Sequence, residues 1–305
     1  MKSRWVQLVV LVTSVFALSA FQASRTPSGV RQLTSGPVAE LAARCSPDGK
    51  WIVFQKYTSA DPVSPELWLL AIDATFDTAK PLVPMKASGA DWSPDGQWVS
   101  FRTSLGRENQ VWKVRVHTGE LRRLTNFEPG TAIGSTAWSS EDKIAFVANG
   151  QIEIIDPLGG HKLQSIRLPH SAVENDIAFS PNGRLLAVTS DNGTDGDIWL
   201  VDVEKRAAKQ ITVGADHDSG PSWLQNDKLL FSRLSKDKTA SIYVANRDGT
   251  ELRRITSGAL DLFPAAVPHS RALIVSRATK IDGSGNDLQL FRGFHLWYLP
   301  GASID

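Results

Sequence analysis

The sequence predicts an all-β chain that folds as a six-bladed β-propeller with four-stranded blades. A turn phrase followed by an apolar strand occurs clearly three times, at residues 45–54, 92–101 and 179–188. These copies and two worn ones, at Trp138 and Trp223, follow one another at intervals of 41 to 47 residues, which is the spacing of propeller blades. A strand-like segment at 30–34 stands apart, and the last repeat lacks a strand of that kind. The N-terminal strand is therefore predicted to complete the last blade.

The turn phrase is clearest at residues 92–96 and is typical of a β-hairpin. Pro94 sets φ for the first central position of the turn, Asp95 can accept hydrogen bonds from nearby backbone N–H groups, and Gly96 tolerates a positive φ. Asp95 and its counterpart Asp48 are therefore interpreted as backbone acceptors and not as catalytic carboxylates.

Each repeat unit contains four strand-like segments, although the third and sixth units have lost most of the turn phrase. The propeller is predicted over 29–305, with the closing strand at 30–34 and blades at about 40–84, 88–126, 133–168, 174–213, 219–257 and 262–300. An aromatic residue recurs in the third strand of five units and is predicted to pack between blades. These residues are Trp68, Trp112, Trp199, Tyr243 and Trp297.

The N-terminus has the pattern of a secretory signal peptide. Lys2 and Arg4 precede an apolar run from Trp5 to Ala20 that ends in small residues. We predict a signal peptide at 1–20, a linker at 21–28, and a periplasmic or secreted bacterial protein with no membrane span after cleavage. The alternative is an uncleaved anchor, because the run is only slightly shorter than a membrane span.

The composition is that of an ordinary globular chain. The 305 residues carry a formal net charge of +1, and 42% of them are hydrophobic. This balance gives no argument for nucleic acid or for an anionic membrane surface as a partner. The single cysteine, Cys45, excludes an internal disulfide and is interpreted as a small buried hydrophobe.

At its repeated turn phrases the chain resembles the TolB-like family of six-bladed β-propellers, whose repeats carry Trp-Ser-Pro-Asp-Gly followed by an apolar strand. The resemblance covers nearly all of the chain after the predicted signal peptide. It implies the propeller fold but not the whole envelope role of TolB, since TolB has an additional N-terminal domain that is not expected here.

The common catalytic motifs do not occur in this sequence. It contains no Gly-x-Ser-x-Gly elbow, no phosphate-binding loop of the Gly-x-x-x-x-Gly-Lys type and no His-Glu-x-x-His zinc motif. The loop that contains Asp191, Asp195 and Asp197 offers alternating carboxylates for Ca²⁺, but it lacks a closing bidentate Glu, so a solvated turn is the default interpretation.

The long loops point to a different candidate site. In a propeller, loops that join consecutive blades lie on one face, around the mouth of the central channel. Such loops often carry the binding residues of a rigid scaffold. We predict that these loops form an acidic mouth that binds a basic segment of a partner or a cation. The alternative is that they are solvated loops with no binding role. The residues of this predicted acidic mouth are Glu174, Asn175, Asp176, Asp216, His217, Asp218 and Asp261.

Three functions remain open on the sequence alone. The first is an exported, monomeric, non-enzymatic scaffold that binds a protein or peptide partner in the cell envelope through the long-loop face. The second is a metal-dependent hydrolase or lyase acting on a small molecule or saccharide, with Glu174, Asp176, Asp216, His217 and Asp218 as the metal donors. The third is a structural subunit of an envelope complex, which differs from the first only in that the association with the partner is permanent.

Overall fold

The computed structural model describes most of the chain after residue 28. The described ranges are 29–36, 39–59, 61, 64–103, 108–168, 172–191, 196–214, 216–225, 227–257, 260–278 and 293–301, with the backbone alone at 172–176 and 191. The predicted signal peptide and linker lie outside them. Within these ranges no helix is long and apolar enough to cross a membrane.

The first two groups of strands are joined by one long strand. They comprise β1 (Arg31–Gln32), β2 (Ala39–Cys45), β3 (Trp51–Tyr57), β4 (Glu66–Ala71), β5 (Lys80–Trp92), β6 (Trp98–Thr103), β7 (Val111–Arg115) and β8 (Leu121–Arg123). A 3-10 turn at Phe76–Thr78 precedes β5. The sequence predicts two separate strands within 80–92, whereas β5 is continuous. Its first residues pair with β4 and its last with β6, so the chain passes from one group to the next without a turn.

Three further groups follow the same order. They comprise β9 (Ile133–Trp138), β10 (Ile144–Ala148), β11 (Gln151–Ile155), β12 (Lys162–Arg167), β13 (Ala172–Phe179), β14 (Leu185–Asp191), β15 (Gly196–Asp202), β16 (Ala207–Gln210), β17 (His217–Gln225), β18 (Lys228–Leu234), β19 (Ala240–Asn246) and β20 (Arg253–Arg254). Within each group, consecutive strands pair antiparallel, as hairpins joined by short turns do.

The last group draws one strand from the other end of the chain. It comprises β21 (Leu260–Ala266), β22 (Leu273–Ala278) and β23 (His295–Leu299), and β1 pairs antiparallel with β23. Beyond β1, the backbone N–H of Leu33 donates to the carbonyl of Leu296 at 2.7 Å. The N-terminal strand-like segment therefore pairs with the last repeat, and the all-β class is confirmed.

The first strand of every group lies innermost. These strands are β2, the second half of β5, β9, β13, β17 and β21, and each contacts the next one in this order. β21 also contacts β2. The ends of these strands that carry the turn phrases define the turn face of the molecule, and the opposite ends define the long-loop face.

Apolar layers fill the spaces between neighbouring groups. Between the last group and the first, Leu33, Phe54 and Tyr298 are at most 3% exposed and belong to one cluster. The predicted packing of the third-strand aromatics is confirmed, since each lies against such a layer. Trp68 also has the ammonium group of Lys56 at 3.6 Å from its ring centroid, which adds a cation–π contact.

Candidate binding site

The innermost strands end around a pocket at the centre of the turn face. Each strand contributes one residue at or near its end to the lining, and these six rim residues are Cys45, Trp92, Trp138, Phe179, Trp223 and Ala266. The pocket has a volume of about 370 Å³. We call this turn-face pocket the mouth; it is a different site from the acidic mouth that the sequence predicts on the long-loop face. The repeated turn phrase therefore places one rim position per strand around a common centre.

Hydrogen bonds between neighbouring strands hold two of the rim indoles. The indole N–H of Trp92 donates to the carbonyl of Arg44 at 3.0 Å, and that of Trp223 donates to the carbonyl of Ala178 at 3.1 Å. Both side chains are at most 7% exposed. Because the polar atom of each ring is satisfied within the protein, these indoles present apolar surface to the mouth.

Prolines of the turns complete the rim. Pro47, Pro94, Pro181 and Pro268 line the mouth beside the aromatic residues. Proline and aromatic side chains are both rigid, so ordering them on binding costs little conformational entropy. The rim of the mouth is therefore preformed and rigid.

Internal hydrogen bonds fix the turns that carry these prolines. The Ser46 hydroxyl donates to the Asp48 carboxylate at 2.6 Å and accepts the backbone N–H of Trp51 at 2.9 Å. Ser93 and Asp95 form the same contact at 2.6 Å. The interpretation of the two aspartates as structural acceptors is thus confirmed, since each also accepts a backbone N–H.

Arg44 and Asp91 are the two charged residues in the lining of the mouth. The Asp91 carboxylate accepts the backbone N–H of Trp138 at 2.7 Å. Burial raises the pKa of Asp91 above its usual range, and the nearby Arg44 guanidinium and the backbone donors oppose this shift. The mouth thus combines an apolar rim with one cationic donor and one carboxylate.

Cys45 is partly buried at the mouth and packs against the apolar layer of the first and last groups. Burial raises the pKa of its thiol to about 12. The reactive form of cysteine is the thiolate, so this thiol is a poor nucleophile at neutral pH. The prediction of a small hydrophobe holds for its packing, although the side chain is not fully enclosed.

The acidic residues predicted as a binding mouth lie at the opposite, long-loop face. Asp218 pairs with Arg233 through two bonds of 2.7 Å, and Asp261 pairs with Arg277 at 2.6 and 2.9 Å. Both carboxylates are at most 1% exposed. The two ion pairs occupy equivalent positions on β17–β18 and β21–β22. In the structure these carboxylates form ion pairs within the fold, and their binding to a partner stays a prediction.

The structure describes the remaining predicted residues of this face only in part. His217 accepts the backbone N–H of Gly196 through Nδ1 at 3.0 Å. Asp216 is half-buried, and its charge acts on Arg233. Glu174, Asn175 and Asp176 lie in β13, where the backbone alone is described.

The predicted Ca²⁺ loop is described only at its edges. Asp195 lies outside the described residues, and Asp191 ends β14 with its side chain undescribed. Asp197 is 5% exposed and accepts hydrogen bonds from Gln210 at 2.9 Å and Thr212 at 3.2 Å. Among the side chains that the structure describes, no three carboxylates, imidazoles or thiols form a group that could hold a metal ion.

A repeated acidic position on the long-loop face was missed by sequence reasoning. Glu40, Asp218 and Asp261 each lie five residues before the rim residue of their strand. Glu40 is fully buried, and its carboxylate lies 2.7 Å from Nδ1 of His295. Aligning the repeats on their rim residues would have revealed this position, because the acids then fall in one column.

Comparison with known proteins agrees with this architecture. The model of the family "WD domain, G-beta repeat" matches residues 160–200. An uncharacterised protein of Agrobacterium fabrum, Atu1656, is 27% identical over 210 residues, which are 66% of this chain and 69% of that protein.

Solved structures resemble the chain more extensively. TolB from Acinetobacter baumannii matches with a TM-score of 0.66 and 17% identity over 77% of this chain, which corresponds to 59% of the TolB chain. A putative TolB from Agrobacterium tumefaciens matches with a TM-score of 0.60 and 17% identity over 89% of this chain and 97% of its own. An oligogalacturonate lyase in complex with manganese gives a TM-score of 0.53 at 14% identity over 82% of this chain and 74% of its own. The chain therefore has the TolB-like β-propeller fold, and its residues 160–200 match the WD40 repeat.

Proposed function

We propose that this protein is an exported, non-enzymatic propeller that binds a segment of a partner protein in the mouth of its turn face. The observation that carries the proposal is the mouth itself, where every innermost strand contributes a rim residue and the indole N–H groups of Trp92 and Trp223 are already satisfied. A rigid rim of aromatic and proline side chains around one cation and one carboxylate suits recognition, because it offers preformed anchoring surface to a ligand.

A closed ring of six blades is part of the proposal. Three features support it: the innermost strands contact one another in cyclic order, β1 pairs with β23, and one apolar cluster joins the last group to the first. Closure leaves no exposed sheet edge between first and last blades, and it holds the six rim residues in fixed positions.

The chemistry of the mouth favours an extended peptide as the ligand. Aromatic and proline side chains form the kind of groove that binds proline-containing or apolar segments. Arg44 and Asp91 supply a donor and an acceptor that can fix the direction of a peptide backbone. TolB-like and WD40 relatives support a role in protein interaction, although neither identifies the partner.

This proposal moves the binding face from the one that the sequence predicts. On the long-loop face, Asp218 and Asp261 are buried against arginines, so little of their charge is available to a basic partner. On the turn face, the rim residues surround a pocket that is open to a ligand.

A metal-dependent hydrolase or lyase remains the second candidate, favoured by the fold similarity to the manganese-bound oligogalacturonate lyase. Two of its predicted donors have other partners, since Asp218 pairs with Arg233 and Nδ1 of His217 accepts a backbone N–H. Finding one tightly bound metal ion per chain in purified protein would favour this enzyme over the scaffold.

Export is inferred from the N-terminal pattern of a charged start, an apolar run and small residues. A periplasmic location is consistent with the resemblance to TolB. The partner is then expected in the cell envelope.

The proposal is tested by affinity capture from an envelope extract with the chain from Ala20 onward as bait. Variants Arg44→Gln and Trp138→Ala alter the mouth, and Asp216→Ala is the matched change on the long-loop face. We expect one protein to be retained near stoichiometrically by the unmodified bait and by Asp216→Ala, and to be lost with both mouth variants. Arg44 is half-buried and its replacement leaves no large cavity, so its variant should keep the fold even if Trp138→Ala does not.

Retention of that protein by both mouth variants, together with its loss from Asp216→Ala, would contradict the proposal and restore the long-loop face as the binding surface.

A further inference from the structure

A second depression on the turn face runs outward from the mouth. It has a volume of about 780 Å³ and shares Pro181, Trp223, Ala266 and Pro268 with the lining of the mouth. Its other lining residues are Leu224, Gln225, Val267, His269, Ser270 and Arg271. We call this depression the outer groove. Because the two linings overlap, a chain seated in the mouth can continue into the groove.

The outer groove lies where the fifth hairpin departs from the turn phrase. In the first and second hairpins the ladder ends at the rim residues Cys45 and Trp92. In the fifth it continues past Trp223 to Gln225, which pairs with Lys228. The fifth hairpin therefore has no proline turn, and prolines of the fourth and sixth turns line the two sides of the depression.

Apolar side chains replace the turn serines in this region. In the fourth turn, Ser180 accepts the backbone N–H of Leu185 at 2.9 Å, as the serines of the first two turns do for their partners. The residues that follow the rim position in the fifth and sixth hairpins are Leu224 and Val267. Leu224 is half-buried and Val267 is 4% exposed. The groove thus has an apolar floor that the other turns lack.

The ionisable residues in the lining of the groove are both basic. His269 and Arg271 are exposed, and no carboxylate contributes to the lining. In the first, second and fourth turns the position of His269 is occupied by Asp48, Asp95 and Asn182. His269 takes a φ of +59°, a turn conformation that Asp142 in the third hairpin also adopts.

We propose that the outer groove binds an extended segment of a partner protein in which an apolar side chain is followed by Asp or Glu. The apolar side chain packs on Leu224 and Val267, and the carboxylate pairs with Arg271 and His269. This proposal rests on the proposed function, because the same segment would occupy the mouth. It adds an acidic sequence preference and the direction in which the segment leaves the mouth.

The test is selection of a random-peptide phage library on four forms of the full chain. They are the unmodified protein, the double variant His269→Asn with Arg271→Gln, the control Arg184→Gln, and a mouth variant. The mouth variant is made in two versions, Trp138→Ala and the milder Arg44→Gln. Arg184 holds the position of Arg271 in the fourth turn, is exposed and does not line the groove. The double variant replaces exposed residues, so its fold should be unaffected.

We expect the unmodified protein and Arg184→Gln to enrich peptides with Asp or Glu beside an apolar residue. The double variant should lose the acidic preference and bind a selected peptide about tenfold more weakly, as expected when a charge pair is removed at an interface. Absence of acidic enrichment on the unmodified protein, or its persistence on the double variant, would overturn the groove proposal alone. Undiminished peptide binding by both mouth variants would instead overturn the proposed function.

Discussion

Arg277→Ala is expected to lower the free energy of unfolding by about 3–5 kcal/mol, the usual cost of removing one partner of a buried ion pair. Asp261 is fully buried, and its two carboxylate oxygens accept hydrogen bonds of 2.6 and 2.9 Å from Arg277. Without the guanidinium, the carboxylate has no opposite charge in a site that water does not reach. Urea unfolding followed by circular dichroism measures the loss.

Two comparisons separate this effect from a general loss of charge. Lys143→Ala breaks the exposed pair with Glu141, whose atoms are 2.8 Å apart, and should cost less than about 1 kcal/mol. Replacing both buried partners, as Asp261→Leu with Arg277→Met, should recover most of the stability, because no unpaired charge remains. A cost below about 1 kcal/mol for Arg277→Ala would mean that Asp261 is solvated and available to a ligand.

Gly89→Ala is expected to destabilise the fold by about 2–4 kcal/mol, because it adds overpacking of about 1–3 kcal/mol to left-handed backbone strain of about 1 kcal/mol. Gly89 lies in β5 with φ +60°, and a Cβ atom there would come within 2.6 Å of the Cα atom of Ser135 on β9. The carbonyl of Gly89 also accepts the Thr136 hydroxyl at 2.9 Å. The change therefore disrupts the contact between β5 and β9, two of the innermost strands.

Gly119→Ala is the matched control for this prediction. Gly119 has φ +72°, but a Cβ atom there would meet no atom within 4 Å. Its replacement should cost only the strain of about 1 kcal/mol. Thermal or urea unfolding gives the loss of unfolding free energy for each variant, and the difference between the two losses is the contribution of the contact between β5 and β9. Equal losses for the two variants would argue against a close approach of these strands.

The fold could be predicted from the sequence because the patterns that indicate it are local and repeated. The turn phrase at residues 92–96 fixes a hairpin, and its recurrence fixes the period of the repeat. The N-terminal strand was accessible for the same reason, since residues 30–34 resemble the fourth strands of later repeats. The continuous β5 was missed because Pro84 suggests a break, whereas this residue lies at the irregularity in the pairing with β4, between the paired residues Pro81 and Lys86.

The site was harder to predict from the sequence because the contacts of its residues join different strands. The acids at 216–218 and 261 look like loop residues in sequence, yet β17 begins at His217 and β21 at Leu260. Their arginine partners follow on the next strand, and no local pattern reveals such a pair. The rim aromatics were visible from the start, but only the contacts among innermost strands bring them together around one pocket.

The most direct test of the turn-face mouth is photo-crosslinking in cells from a benzophenone amino acid placed at one position of each face. Ser140 is exposed and lines the mouth, and Asp216 lies at the long-loop face. We predict that the probe at residue 140 yields a discrete crosslinked species with another protein, whereas the probe at residue 216 yields none. A discrete species from residue 216 alone would contradict the central claim that the partner binds at the mouth.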